Sequence, residues 1–101
     1  MPAILGVTMV RAHDGKAQAA LALMGRLKTV IERLGARVRI LTQFSGPAPD
    51  SFVFVVENAS WTEFGALGEK AAQDAEYQSI LAEAQANPIG EILSRSISVE
   101  V

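Results

Sequence analysis

Six side chains in this 101-residue sequence have types and positions that could do chemistry: His13, Arg39, Asn58, Trp61, Tyr77 and Ser96. His13 is the single histidine, the residue type suited to general acid–base work near neutral pH. Lying beside Asp14 and Gly15, it reads first as an exposed turn residue that helps cap the helix. Arg39 shares one face of an alternating stretch with Arg37. A guanidinium there can fork onto a ligand carboxylate, pair with an acid such as Glu57 or Glu100, or keep a strand edge from unwanted pairing. Asn58 and Trp61 flank a strand-to-helix turn, where Trp61 can stack on a ligand or pack its helix onto the domain. Tyr77 can offer a phenol to a pocket or share an amphipathic helix face with Ile80 and Leu81. Ser96 is the centre of the Ser94, Ser96, Ser98 stripe. With no base in that motif, the stripe reads as a solvated or cavity-lining polar face and not as a hydrolytic nucleophile.

The rest of the inventory narrows the chemistry. There is no cysteine, which removes thiolate zinc sites, iron–sulfur clusters and thiol nucleophiles, and one histidine cannot form a cluster. No metal and no cofactor are expected. At 101 residues and 50% hydrophobic composition, residues 1–101 should form one domain that buries roughly two-thirds of its unfolded surface. The apolar run from Pro2 to Val10 lacks a preceding basic region and a cleavage site, and no stretch reaches the ~18 apolar residues of a membrane span. A soluble, cytoplasmic protein without membrane contact is expected. Residues 1–49 carry seven Lys and Arg against Asp14 and Glu32, a net +5, whereas residues 50–101 carry Lys70 and Arg95 against nine acids, a net −7. These charges are spread along the chain and not clustered, so the two halves are expected to lie side by side and neutralise each other.

Periodicity supplies the elements that must hold these side chains. Residues 3–11 and 51–57 are continuous apolar runs of strand length, as expected for strands covered on both faces and central in a sheet. Residues 37–44 alternate, with Val38, Ile40, Thr42 and Phe44 opposite Arg37, Arg39, Leu41 and Gln43. Residues 92–101 alternate too, with Leu93, Arg95, Ile97, Val99 and Val101 opposite the serines. A helix is expected from Asp14 to Leu34, stopped by Gly35. The turn Ser45–Asp50 links the second and third strands. Ser60-Trp61-Thr62-Glu63 is a capping box that opens a second helical region, which ends at Asn87-Pro88 and has Asp74 available to restart it.

The order β-α-β-β-α-β is that of the ferredoxin-like α+β fold: a four-stranded antiparallel sheet with two helices on one face. Strands one and three should be central, and two and four at the edges. Because both faces of the central strands are apolar, the face without helices is expected to be covered by a second copy, giving a homodimer through the sheet. Gly6 would permit a close approach by a partner backbone or a ligand.

Three stretches resemble the dimeric α+β barrel superfamily, which includes the antibiotic-biosynthesis-type monooxygenases, the NIPSNAP-like proteins and the stress-responsive barrels. Val10-Arg11-Ala12-His13-Asp14-Gly15-Lys16 resembles its "V-x-x-x-P-G-K" run into the first helix, with Asp14 in place of Pro. Glu57-Asn58-Ala59-Ser60-Trp61 resembles its aromatic strand-to-helix turn, and Asp74-Ala75-Glu76-Tyr77-Gln78 its "D-P-E-Y-Q" run, with Ala75 in place of Pro. The resemblance implies a dimeric barrel and a spread of activities: cofactor-independent oxygenation of aromatic polyketides, haem degradation and lactone isomerisation. The haem-degrading type needs a histidine on the second helix, which this chain lacks. A cofactor-independent oxygenase would bind and polarise an electron-rich substrate with residues such as Asn58, Trp61, Tyr77 and Arg39.

Other uses of the same fold fit less well. An RNA recognition motif needs exposed stacking aromatics on strands one and three. Here strand one has none, and strand three has Phe52 and Phe54 but Glu57 at the last aromatic position, in a chain of net charge −2. No nucleic-acid partner is expected. Acylphosphatase chemistry needs a glycine-rich phosphate cradle with an arginine at the end of strand one; Arg11 is there, but the loop AHDGKAQ is not such a cradle. An amino-acid-sensing regulatory domain finds only a faint echo in Asp14-Gly15. The sequence therefore leads to a dimeric barrel that binds a small, largely apolar molecule between sheet and helices, with cofactor-independent monooxygenation or isomerisation as its reaction. The opposing reading is a non-catalytic dimeric binding or stress-response protein.

Overall fold

The computed structural model describes residues 2–45 and 51–101. Its elements run β1 (Ile4–Ala12), α1 (Ala17–Arg33), β2 (Arg37–Thr42), β3 (Ser51–Asn58), α2 (Trp61–Gln73), α3 (Ala75–Ala86) and β4 (Gly90–Val99). The strands form one antiparallel sheet in the order β2-β3-β1-β4, so the two apolar runs are indeed central and the two alternating strands are the edges. This is the ferredoxin-like α+β fold. The expected turn over Ser45–Asp50 falls on residues 46–50, outside the described residues.

Local chemistry explains where the helices start and stop. α1 begins at Ala17 and not at Asp14, because the glycine of His13-Asp14-Gly15 has φ 77° and turns the chain before the helix can form. Gly35, at φ 112°, ends α1 in the left-handed region that disfavours a side chain. The capping box forms as expected. Ser60 Oγ accepts from the Glu63 N–H at 3.2 Å, while the Glu63 carboxylate reaches past the cap to the N–H of Ala59 at 3.1 Å. The second helical region is two helices, not one. Asp74 leaves the helical conformation at ψ 119° and caps α3, its Oδ1 accepting from the Tyr77 N–H at 2.8 Å.

Register divides the sheet residues between two faces. Val38 and Ile40 of β2, Phe52, Phe54 and Val56 of β3 and Thr8 of β1 share the face that meets the helices. Phe54 packs against both buried clusters: Ala20, Met24 and Phe52 at one end, Ile31, Ala36 and Val38 at the other. The opposite face presents Leu5, Val7, Met9, Val53 and Val55, flanked by Arg37 and Arg39 on one side and the three serines on the other. Among the described residues nothing packs over it. Phe52 and Phe54 lie under the helices, where they cannot serve as a base-stacking platform on the open face.

Two expectations for the edge strands need correction. Phe44 lies beyond the end of β2 and is fully exposed. In β4 the pairing steps from Met9↔Ser94 to Val10↔Ile92, which leaves Leu93 as an extra residue at a bulge. Leu93 therefore does not continue the Arg95, Ile97, Val99 row. Ile92 takes its place on the helix-facing side.

The five ion pairs among the described residues all join the basic half of the chain to the acidic half: Arg11–Glu91, Arg26–Glu83, Arg33–Asp74, Arg33–Glu76 and Arg39–Glu57. This is the neutralising arrangement expected from the charge distribution. Arg26–Glu83 and Arg33–Asp74, each 2.8 Å, fasten α1 to α3 and to its cap.

Candidate functional site

The helices do not cover the whole of their sheet face. α1 packs on β2 and α2 on β3, while β4 lies beyond their reach, and its helix-facing residues Ile92, Ile97 and Val99 stay 52%, 56% and 45% exposed. Between β1, β4 and the helices lies a cleft made of two adjoining cavities of about 670 and 470 Å³. They share Thr8, Ile31, Phe54, Tyr77 and Arg95. The larger is roofed by Phe64, Leu67 and Ala71 of α2; the smaller runs along Met24 of α1 and Leu81 of α3 to Ile89 and Ile92. Both volumes suit a small organic molecule, and the walls are largely apolar.

Gly6 lies on the floor of the larger cavity. A Cβ added there would come no closer than 3.9 Å to the Val56 carbonyl, so nothing in this chain forces a glycine at that position. A larger side chain would project into the cavity. The tight approach is at Gly90 instead, where a Cβ would meet the Arg11 carbonyl at 2.6 Å and part the β1–β4 pairing.

Tyr77 reaches the cleft because Asp74 starts α3 where it does. The Tyr77 N–H and the Arg33 guanidinium both hydrogen-bond the Asp74 carboxylate, in that order of effect, and hold it below its ordinary pKa; the same contact raises that of Arg33. Gln78 Nε2 donates to the Ala71 carbonyl at 3.2 Å, closing the joint between α2 and α3.

Of the six residues singled out from the sequence, Tyr77 borders the cleft, and Ser96 reaches its rim between Arg95 and Ile97 while its pairing with Val7 puts it in the open-face row. The other four lie elsewhere. His13 is exposed in the turn after β1, its backbone N–H donating to the Ile89 carbonyl at 2.8 Å. Arg39 is on the open face, paired with Glu57 at 3.3 Å. Asn58 is buried at the end of β3, and its Nδ2 has no hydrogen-bond partner among the described residues. Trp61 is exposed and touches the cleft through a neighbour, its ring meeting that of Phe64 edge-on at 5.9 Å. The residue that sequence reasoning passed over is Arg95, the only cationic side chain among the described residues of either lining. Its signal was a lone charge in the otherwise apolar row of Ile97 and Val99.

Fold and cleft together define a ferredoxin-like α+β protein with a ligand-sized opening between sheet and helices. Solved structures share that architecture along nearly the whole chain. An uncharacterised NIPSNAP domain protein from Burkholderia xenovorans superposes with a TM-score of 0.73 at 22% identity, covering 97% of this chain and 92% of its own. A NIPSNAP family protein from Agrobacterium tumefaciens gives 0.71 at 20% identity, over 98% and 91%. A Chloroflexus aurantiacus protein provisionally assigned as an antibiotic biosynthesis monooxygenase gives 0.65 at 17%, over 98% and 93%. No family model and no curated protein sequence matches the chain. The likeness is one of fold. Among the described residues, no helix is long and apolar enough to cross a membrane, and no cluster of three or more His, Cys, Asp or Glu could hold a metal ion.

Proposed function

We propose that this chain works in the cytoplasm as a homodimer through its open sheet face and binds a small, largely apolar organic molecule in the cleft. The observation that carries this reading is the uncovered β1–β4 half of the helix-facing side: an apolar opening about 670 Å³ in volume, floored by a glycine and bordered by Tyr77. Support for the dimer comes from Leu5, Val7, Met9 and Val53, half-buried apolar residues around the already buried Val55 that a second copy would cover. The likeness to a provisionally assigned monooxygenase supports cofactor-independent oxygenation or isomerisation as the reaction.

A second reading, non-catalytic binding, is favoured by one observation. Among the described residues, the larger cavity has no histidine, lysine or carboxylate in its lining, and the smaller one has only Glu91, already paired with Arg11. Native mass spectrometry of protein purified from its own host should find a co-purifying small molecule. Its absence, with no thermal shift across a panel of aromatic acids and polyketides, would overturn the binding reading. Incubating any molecule so found with the protein in air separates turnover from storage. Light scattering at micromolar concentration should give twice 10.8 kDa, and a particle of 10.8 kDa would sink the dimer.

A further inference from the structure

From the polar groups of this cleft we infer that its ligand is an amphipathic monocarboxylate, anchored by Arg95. The inference rests on the binding reading above and specifies the chemistry of that same site. The two cavities meet at five residues, of which three are polar: Thr8, Tyr77 and Arg95. All three can donate hydrogen bonds. None makes a side-chain hydrogen bond or ion pair with any described residue, although every ion pair there spans the two halves of the chain and Arg95 lies among acidic sequence.

Register shows why Arg95 stays free. It pairs with Thr8 across β1 and β4, on the helix-facing side, while Arg11 takes Glu91, the one carboxylate in either lining among the described residues. The junction is thus rich in donors and, among the described residues, has no uncommitted acid. A planar guanidinium beside two hydroxyls suits an oxygen anion, and a carboxylate matches its fork in two parallel hydrogen bonds. Around that point the walls are apolar, with Ile31 and Phe54 common to both cavities, Leu67 and Ala71 in the larger and Met24 and Leu81 in the smaller. Arg95 is exposed, and an uncharged hydrocarbon would displace water from the guanidinium without offering it a partner. A dianion would bring more charge than one cation can balance.

Titration calorimetry of the full-length protein with decanoate and decan-1-ol, which share a chain length, tests this. Decanoate should bind about ten- to a hundredfold more tightly, the range for a charge-assisted hydrogen-bonded pair. Arg95→Gln should erase that preference and leave decan-1-ol affinity within about twofold. Arg95→Lys should keep part of it, whereas Lys28→Gln, away from both linings, should change nothing. Equal affinity for the two probes in the native protein, or a preference that survives Arg95→Gln, overturns the carboxylate inference and leaves the binding reading standing. Failure of both probes to bind overturns the inference and counts against the binding reading itself.

Discussion

β3 and β4 flank β1 on either side, antiparallel and in comparable register, yet the chain treats their helix-facing rows differently. On β3, Phe52 is 8% exposed and Phe54 joins the two buried clusters. On β4, Ile92 and Ile97 remain more than half exposed, with a guanidinium between them in sequence. The cause lies in the helices, since α1 and α2 sit over β2 and β3, and the break at Asp74 turns α3 towards α1 through Arg26–Glu83. One strand thus spends its apolar row on stability; the other leaves it available for a ligand.

Substitutions in the two rows can break that contrast. Phe54→Ala should cost about 3 kcal/mol in a chemical denaturation curve, because the ring supports both clusters. Ser60→Ala removes the α2 cap and should cost about 1 kcal/mol by the same measurement. Acid should weaken the joint that positions Tyr77. A carboxylate held below its ordinary pKa lends stability above 3.8, and that contribution is lost as pH falls through the lower folded value. Asp74→Asn should therefore flatten the decline in Tm on acidification relative to the native protein, and parallel curves would show that the joint does not depend on this charge. Ile97→Ala sits at the bottom of the scale, within about 0.5 kcal/mol, while weakening any cleft ligand. A larger loss of stability there would mean that β4 is covered in solution.

The contrast also marks what the sequence could tell. Continuous apolar runs around Val7 and Val55 pointed to β1 and β3 as the central strands, because a strand flanked on both sides shows fewer polar positions than the alternating edges β2 and β4. Ser60 and Asp74 were legible because caps are local chemistry. Leu93 was not, since its row with Arg95 and Ile97 looks regular and the bulge is created by the partner strand. Tyr77 and Ser96 were named as candidates, but Arg95 was passed over, because its importance depends on how far the helices extend, and that is set by tertiary packing.

The ion pairs that bridge the two halves carry a consequence for how the chain could be divided. Interrupted between β2 and β3, it yields a cationic β-α-β piece and an anionic piece holding the remaining elements, each the other's counter-ion. Produced separately, such pieces should find one another through long-range attraction before any strand pairs. Their rate of reassembly should fall as added salt shortens the screening length below ~8 Å.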